Sequence, residues 1–411
     1  MAPDNAQQLL PGKVVNTRPS PLAPLRNASQ RAAAMPRSAI REIMALASAR
    51  PNVIHLEVGE PDFSTPTHII DAAFAAARAG WTKYSPNAGL PLLRDLVAQH
   101  AARNGRGAPP TADQVVITTG AIGALYSALM AVIDSGDEVL IPDPGWPNYE
   151  AIVHLAGAKP VRYQQQAARS FLPDADEIAG LITSRTKALL INTPGNPSGA
   201  VFSPDLMARI GEIVARSGIY LVSDEVYEDI VFDSAHVSAI ADAPPDRVFI
   251  VSGFSKSYAM TGWRLGWLIC PPSLSSIVAG LQEPITSCAS TIAQKAGEAA
   301  LAQDQKCVVE LRETFRRRRD IVVEVFGNTG LLPATPQGAF YALIDIRSTG
   351  QRSLEFAKSF LISHNTAVVP GITFGPRCDD YIRVAFTTSD QELREGLQRL
   401  RAHIEGLARS R

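Results

Sequence analysis

Short apolar runs alternate with amphipathic helical segments between residues 112 and 270, and this pattern constrains the fold more than any other feature. β-rich runs such as Val115-Val116-Ile117 and Val248-Phe249-Ile250-Val251 are separated by stretches with apolar residues at helical spacing. Seven such runs predict an α/β protein with a mainly parallel seven-stranded sheet between helices. Ligands of such sheets bind beyond the carboxyl ends of the strands, so we expect the chemistry there.

The pattern changes on both sides of this region. After about residue 275, a helix-rich stretch precedes further strands and helices, a mixture typical of a smaller α+β domain. The chain is long enough for two domains. We predict an N-terminal arm with part of the small domain, a large ligand-binding domain and a small C-terminal domain, over residues 1–58, 59–300 and 301–411.

The N-terminal arm has its own composition. Residues 1–25 are rich in proline and polar residues and lack the apolar core of a signal peptide. We expect a mobile arm, which could pack against a partner subunit. The sequence indicates no specific role for residues 1–30.

Charge and cysteine usage argue against several classes of partner. A formal net charge of −1 offers no basic face for nucleic acid or an anionic membrane. The four cysteines are widely spaced without a CxxC pair, which argues against a metal site and a disulfide framework and fits a reducing cytoplasm. No apolar run approaches the length of a transmembrane helix. The basic run 316–319 follows two glutamates at helical spacing, and we expect a solvated, ion-paired helix face.

One predicted strand end presents a lysine and, eight positions later, an arginine. Ser252-Gly253-Phe254-Ser255-Lys256 follows the run 248–251, and Arg264 opens the next apolar run. A lysine amine can form a Schiff base with a carbonyl, and an arginine can hold a phosphate through two parallel hydrogen bonds. Pyridoxal phosphate (PLP) has both an aldehyde and a phosphate. The alternative is a solvated loop lysine with a surface arginine.

Two further strand ends suit the ring of such a cofactor. Asp224 ends a buried strand, where a carboxylate needs a partner such as a protonated pyridine nitrogen. The alternative is a helix N-cap aspartate. Tyr227 could bond the ring hydroxyl oxygen. Asn196 lies in a stiff Pro/Gly-rich loop and can donate an amide N–H to that oxygen, although an ordinary turn is the simpler interpretation.

Weaker signals accompany these residues. The stretch from Thr118 to Gly123 combines small residues with a helix start, whose N–H groups attract phosphate, although helix packing alone would explain its glycines. Trp146 could stack on a planar ring or fill an apolar gap. Either Ser252 or Ser255 could donate a hydroxyl to the phosphate.

Two residues outside the sheet region suit a substrate. Arg383 lies in the apolar strand Tyr381-Ile382-Arg383-Val384-Ala385, where a guanidinium needs a counter-ion. A substrate α-carboxylate would serve, and a structural salt bridge is the alternative. Gly59, in the turn after a short strand, could offer its backbone to the same carboxylate.

Several motifs of the chain, taken together, resemble those of a known protein family. The motifs are Asn196-Pro197-Ser198-Gly199, Ser223-Asp224-Glu225-Val226-Tyr227, Ser255-Lys256 with Arg264, Arg383, Leu56-Glu57-Val58-Gly59-Glu60-Pro61-Asp62-Phe63, Tyr84-Ser85-Pro86-Asn87-Ala88-Gly89, Pro336-Gln337-Gly338-Ala339-Phe340-Tyr341 and Pro370-Gly371-Ile372-Thr373-Phe374-Gly375. Over about residues 35 to 405 the chain resembles the class I/II aminotransferases, which are fold-type I PLP enzymes of the aspartate aminotransferase superfamily, and in particular their bacterial branch. Each motif is weak alone, and their order and spacing together are specific.

The resemblance implies a PLP-dependent aminotransferase of amino acid metabolism. It would move an amino group from an L-amino acid to a 2-oxo acid by a ping-pong mechanism through a Lys256 aldimine. Lys256, Asp224 and Tyr227 would be the catalytic residues. The implied cofactor site comprises Gly120, Ala121, Ile122, Trp146, Asn196, Asp224, Tyr227, Ser255, Lys256, Arg264 and Tyr84, and the substrate site comprises Gly59, Asn196 and Arg383. Tyr84 would reach the cofactor phosphate of the other subunit, because active sites of this family lie at a homodimer interface.

The chain departs from the family pattern in three places. Gly253 stands where many relatives have serine, so the serine that completes the phosphate site is left open. Ile122 replaces a hydroxyl or amine residue. The predicted helix 122–133 and residues 283–294 offer too little positive charge for a second substrate carboxylate, so an apolar or aromatic amino donor fits at least as well as aspartate.

Two other functions remain possible on the same fold. A PLP lyase or decarboxylase would use the same site. A non-catalytic PLP-sensing domain of a transcription regulator would need a DNA-binding domain, and residues 1–50 are too short and insufficiently basic for one.

Overall fold

The structure is a computed structural model that describes residues 29–33, 35, 39–104 and 109–410. The chain divides into two compact units, 1–35 and 36–411. Within the first unit, helix α1 (Gln30–Ala33) begins after Ser29, whose hydroxyl accepts a hydrogen bond from the Ala32 N–H. The mobile arm predicted for residues 1–25 lies outside the described residues.

The second unit contains the elements that build the site. Its helices are α2 (Ala39–Ser48), α3 (Thr67–Arg78), α4 (Pro91–Asn104), α5 (Gly120–Met130), α6 (Pro147–Leu155), α7 (Ala175–Leu181), α8 (Pro204–Ser217), α9 (Ser275–Thr286), α10 (Thr291–Ala302), α11 (Lys306–Phe326), α12 (Ser353–His364) and α13 (Asp390–Arg409). Its strands are β1 (Ile54–His55), β2 (Val115–Thr118), β3 (Glu138–Asp143), β4 (Lys159–Gln164), β5 (Thr186–Asn192), β6 (Tyr220–Asp224), β7 (Val248–Gly253), β8 (Gly266–Ile269), β9 (Tyr341–Asp345), β10 (Thr366–Ala367), β11 (Val369–Pro370) and β12 (Tyr381–Ala385).

The large sheet has seven strands in the order β2-β8-β7-β6-β5-β3-β4. Strands β3 to β7 pair in parallel, while β8 runs antiparallel to both β2 and β7. The predicted mainly parallel α/β sheet is therefore confirmed, with β8 as the exception. Because the carboxyl ends of β3, β5, β6 and β7 meet at one edge, the residues that follow these strands are brought together there.

Helices cover both faces of this sheet. Leu221 and Val222, adjacent on β6, belong to different apolar clusters, one with α4, α8 and α10 and the other with α5, α6 and α9. Successive side chains of a strand point to opposite faces, so a sheet covered on both sides needs continuous apolar strands. This requirement explains the unbroken apolar runs in the sequence.

A smaller antiparallel sheet, β11-β12-β9, packs with α11, α12 and α13 around a third apolar cluster. Strand β1 pairs with β10, with Ile54 opposite Thr366, so residues near the start of the second unit join elements near its end. This pairing is consistent with the prediction that part of the segment before residue 58 contributes to the small domain. The boundaries at 58 and 300 stay predictions.

The basic run on α11 differs from expectation. Its arginines are ion-paired, as predicted, but Arg318 and Arg319 are only 5% and 6% exposed. The prediction of a solvated face is therefore wrong for these two residues, because both are buried and each forms an ion pair with an aspartate of a distant loop. Among the described residues, no helix has both the length and the apolar character needed to cross a membrane.

Candidate active site

A cavity of about 360 Å³ lies at the carboxyl edge of the large sheet. It is bounded by the loops that follow β3, β5, β6 and β7, by the start of α5 and by residues of β9 and β12. Of the residues predicted for the site, those that line it are Gly59, Ala121, Ile122, Trp146, Asn196, Asp224, Tyr227, Ser255, Lys256, Arg264 and Arg383. The fold thus brings together residues from positions 59 to 383.

Two predicted residues lie outside this lining. Gly120 precedes Ala121, and a Cβ added to it would lie 2.7 Å from a terminal nitrogen of Arg264, so it packs directly against that guanidinium. Tyr84 is 88% exposed and contributes nothing to the cavity of its own chain. The role predicted for Tyr84 therefore requires a second copy of the chain.

Lys256 points its amine into the cavity. Its Nζ donates a 2.7 Å hydrogen bond to the Gly59 carbonyl oxygen and lies 5.7 Å from the centre of the Phe340 ring. Burial disfavours the charged ammonium and lowers the pKa of Lys256 to about 8. A larger fraction of this amine is therefore neutral, and nucleophilic, near neutral pH than for an exposed lysine.

Asp224 ends β6 at the floor of the cavity. Its Oδ2 accepts a 2.7 Å hydrogen bond from the Tyr149 hydroxyl, and its Oδ1 accepts one from the Val226 N–H. Burial raises the pKa of Asp224 to about 6, and the bond from Tyr149 opposes that rise. A cation placed against this carboxylate would stabilise its charged form.

Arg383 is a buried cation that has no carboxylate partner among the described residues. Its terminal nitrogens donate to the Glu57 carbonyl oxygen at 2.7 Å and to Asn196 Oδ1 at 3.2 Å, and it lies between the rings of Tyr341 and Phe374. In the described part of the chain no carboxylate forms an ion pair with it, and its Nε has no hydrogen-bond partner. Burial lowers the pKa of Arg383. The geometry therefore disfavours the structural salt bridge and leaves this guanidinium able to bind an anion.

Comparison with known proteins identifies the family. The family described as "Aminotransferase class I and II" matches residues 51–400. The chain belongs to this family. Among curated relatives, it is 36% identical to the aspartate aminotransferase of Pyrococcus horikoshii, over 92% of this chain and 97% of that protein. It is also 36% identical to aromatic-amino-acid aminotransferase 2 of Thermococcus litoralis, over 88% of this chain and 94% of that protein.

A solved structure agrees with this assignment. The aspartate aminotransferase of Thermus thermophilus with maleate is 35% identical, covers 92% of this chain and 100% of its own, and superposes with a TM-score of 0.87. The predicted family, the PLP fold type I architecture and the PLP-dependent aminotransferase activity are thereby confirmed.

Three side chains of this aminotransferase were predicted to contact the cofactor phosphate of their own chain, those of Arg264, Ser255 and Ser252. Arg264 adopts a left-handed backbone conformation (φ 53°), and its Nη1 donates to the Thr261 carbonyl oxygen at 2.8 Å. Ser255 lines the cavity, whereas the hydroxyl of Ser252 is buried and donates to Glu228 Oε1 at 2.7 Å. Of the two serines, only Ser255 lines the cavity, and the Ser252 hydroxyl is already engaged as a donor.

Gly253 is explained by close backbone packing. It lies opposite Gly266 in the β7–β8 pair, and a Cβ added to it would lie 2.9 Å from the Gly266 Cα. A serine at this position would require the two strands to shift.

The aminotransferase also contains a buried charged cluster behind the cavity. Glu225 accepts hydrogen bonds from Ser223 and from the Ala239 N–H and pairs with His236 at 2.9 Å, while Glu228 pairs with His100 at 3.5 Å. The carboxylates at 225 and 228 and the imidazole at 236 are spaced as in a metal site. Within the chain these carboxylates are already paired, Glu225 with His236 and the Ser223 hydroxyl, and Glu228 with His100 and the Ser252 hydroxyl.

Among the residues at the site that were missed from the sequence are Tyr149, Tyr341 and Asn192. Tyr149 bonds Asp224, Tyr341 shares a 2.9 Å hydroxyl–hydroxyl bond with Tyr227, and Asn192 accepts from the Asn196 N–H at 2.8 Å. All three lie within or beside motifs already singled out. Their position next to those motifs was the available signal, but nothing in the sequence indicated which side chain turns inward.

Proposed function

We propose that this aminotransferase accepts L-amino acids with one carboxylate and an apolar side chain, with Lys256 as the reacting amine. The observation that carries the proposal is the cavity lining. There the buried Arg383 lacks a carboxylate partner among the described residues, and the wall also contains Ile40, Met44 and Ile122.

The side chains that line the cavity fit the groups of PLP. When bound, PLP supplies an aldehyde that reacts with amines and a ring that withdraws electrons. Asp224 would pair with the ring nitrogen, Trp146 would lie against the ring face, and Tyr227 would donate to the ring oxygen. Asn196 would donate to the same oxygen through its amide nitrogen, because its Oδ1 accepts from Arg383.

The phosphate would lie at the start of α5. The N–H groups of Gly120, Ala121 and Ile122 begin this helix, where free amides and the helix dipole favour an anion. Ser255 would add a hydroxyl donor and Arg264 a charge-assisted pair of hydrogen bonds.

The substrate's α-carboxylate would bind to Arg383, with Asn196 and Gly59 beside it. Lys256 would then move the α-proton, since its lowered pKa makes it able to accept and release a proton near neutral pH. The Gly59 carbonyl would hold the amine while it is not engaged.

Charge in the cavity argues for an apolar substrate side chain. The cations in the described lining are Lys256, Arg264 and Arg383, and each has a role already. The remaining charged residues of the wall are acidic, so a second substrate carboxylate would have no cation from this chain. Because relatives include enzymes named for aspartate and for aromatic amino acids, family membership alone does not decide the substrate.

We further propose that the enzyme is a homodimer. The exposed Tyr84 has no role in its own cavity, and a second copy would allow it to reach the neighbouring cofactor phosphate. A cytoplasmic location stays a prediction that is consistent with four free cysteines.

A donor panel tests the substrate proposal. Phenylalanine, leucine and methionine should convert the bound cofactor to its aminated form faster than aspartate does, with 2-oxoglutarate and pyruvate tested as acceptors. Ile122→Lys should raise kcat/KM for aspartate about tenfold, the value of one charge-assisted hydrogen bond. Ile277→Lys is the control, because Ile277 is 51% exposed and lies outside the cavity.

Two outcomes would contradict the proposal. Preference for aspartate by the unmodified enzyme would overturn the substrate class. Release of ammonia together with a 2-oxo acid, without amination of the cofactor, would favour the lyase alternative.

A further inference from the structure

Two consecutive arginines of α11 reach two loops that border the cavity. Arg318 pairs with Asp62, just after Gly59, and Arg319 pairs with Asp233, six residues after Tyr227. The neighbouring Arg317 is more exposed and pairs only with Asp390 among the described residues. This arrangement distinguishes Arg318 and Arg319 from an ordinary solvated helix face.

The Arg318–Asp62 contact has the geometry of a strong pair. Nη1 and Nη2 of Arg318 donate to the two carboxylate oxygens of Asp62 at 2.7 and 2.8 Å, and Nε donates to Asp390 at 3.2 Å. The guanidinium also lies within 6 Å of the ring centres of Phe63 and Phe315. A bidentate pair of this kind restrains orientation as well as distance, and a lysine cannot reproduce it.

Asp62 belongs to a segment whose first part is held by the small sheet. The carbonyl oxygens of Leu56 and Val58 accept hydrogen bonds from the Ala385 N–H and the Thr387 hydroxyl, each at 2.7 Å. The next carbonyl, that of Gly59, is the acceptor for Lys256.

Beyond Gly59 the restraints come from side chains. Glu60 accepts from the Thr261 hydroxyl at 2.6 Å, but both of these groups lie near the protein surface. The bidentate contact of Asp62 is a partly buried restraint on this side, because Arg318 is almost fully enclosed while the Asp62 side chain is 32% exposed. The position of the Gly59 carbonyl is thus set between the small sheet and α11.

We propose that Arg318 is a positioning residue: through Asp62 it holds the Gly59 carbonyl where that oxygen accepts the hydrogen bond of the Lys256 amine. The inference rests on the proposed role of Lys256. A carbonyl that accepts from an ammonium stabilises the charged form, so loss of this acceptor should lower the pKa of Lys256. A loosened Gly59 would also position the amine less well for proton transfer.

Variants of the contact test this role. Arg318→Gln removes the pair, Arg318→Lys keeps the charge without the fork, and Asp62→Asn alters the other partner. Arg317→Gln is the matched control, since it shares Asp390 but does not contact Asp62.

Three measurements on the full chain test the positioning role of Arg318. The first is the rate at which the cofactor-free protein captures PLP covalently, measured as a function of pH. The midpoint of this pH profile should shift downward by about half a pH unit in Arg318→Gln and Asp62→Asn. Amide hydrogen exchange over residues 57–66 should accelerate without PLP. In the PLP-loaded enzyme, kcat should fall about tenfold with a smaller change in KM.

The outcomes separate this inference from the proposed function. Arg318 variants that match Arg317→Gln in capture midpoint and exchange would overturn the positioning role, even if activity fell. Failure of the unmodified chain to capture PLP would instead contradict the role of Lys256. If Arg318→Gln does not fold, Arg318→Lys and Asp62→Asn retain the same test, because Asp62 is partly exposed.

Discussion

The Tyr149 hydroxyl donates a 2.7 Å hydrogen bond to Oδ2 of Asp224, so the carboxylate at the end of β6 is held by a side chain from α6. The bond favours the charged carboxylate, whereas burial favours the neutral one and raises the pKa of Asp224 to about 6. Tyr149 therefore helps keep Asp224 charged at neutral pH.

Tyr149→Phe should lower activity most at acid pH. Loss of the bond raises the pKa of Asp224 further, so less carboxylate is charged near pH 7 and kcat/KM should fall roughly tenfold there. Activity should partly recover toward pH 8.5. Tyr163→Phe is the control, because its hydroxyl bonds the Leu190 carbonyl away from the cavity. Identical pH profiles for Tyr149→Phe and the unmodified enzyme would contradict this role.

Covalent capture of PLP should depend on the ionisation of Lys256. The neutral amine reacts, and the pKa of this lysine is lowered to about 8, so the rate should rise with pH to a plateau above about 8. The measurement is borohydride reduction at each pH followed by mass spectrometry of the Lys256 peptide. Lys256→Arg should show no labelling of that peptide. A rate that still rises steeply near pH 10 would indicate an ordinary lysine.

Arg383→Gln should weaken substrate binding at both half-reactions. Loss of a charge-assisted contact to the α-carboxylate should raise KM for the amino acid and the oxo acid about 10- to 100-fold. The absorbance of bound PLP should change little, since Arg383 is assigned to the substrate rather than to the cofactor. Arg377→Gln, on the exposed surface, is the control. An unchanged KM for both substrates would remove Arg383 from the binding site.

Stability should depend on pH through the buried pair of His100 and Glu228. Burial alone would lower the pKa of His100, but Glu228 more than offsets it and the pKa is raised to about 9. Because the pKa of His100 is higher in the folded than in the unfolded state, its protonated form stabilises the fold. This stabilisation is complete below about pH 6.5 and is lost as the pH rises toward 9.

The variant His100→Gln tests this dependence. It leaves Glu228 buried beside a neutral side chain, so the free energy of unfolding at pH 6.5 should fall by about 3–5 kcal/mol. The difference from the unmodified protein should shrink by pH 9. Urea unfolding of the full chain at three pH values provides the measurement, with the partly exposed His154→Gln as control. A difference that does not vary with pH would contradict the assignment.

Much of the site could be predicted because the carboxyl ends of parallel strands lie at the same edge of the sheet. Asp224 and Lys256 follow neighbouring strands β6 and β7, so their meeting follows from topology. Arg383 was recognisable because a guanidinium inside an apolar strand requires an anion. Ser252 and Ser255 could not be separated in this way, since the sequence alone does not show which of the two hydroxyls points into the site.

The sequence by itself determined the fold class, the family and the residue types gathered at the sheet edge, because apolar runs, helical spacing and the order of the motifs can all be read along the chain. The tertiary structure decided which side chains meet. Tyr149 and Asp224 are 75 positions apart, and Arg318 and Asp62 are 256 apart. Such contacts depend on how α6 and α11 pack against distant loops. Packing is set by the shapes of many side chains together, and no single stretch of sequence contains it.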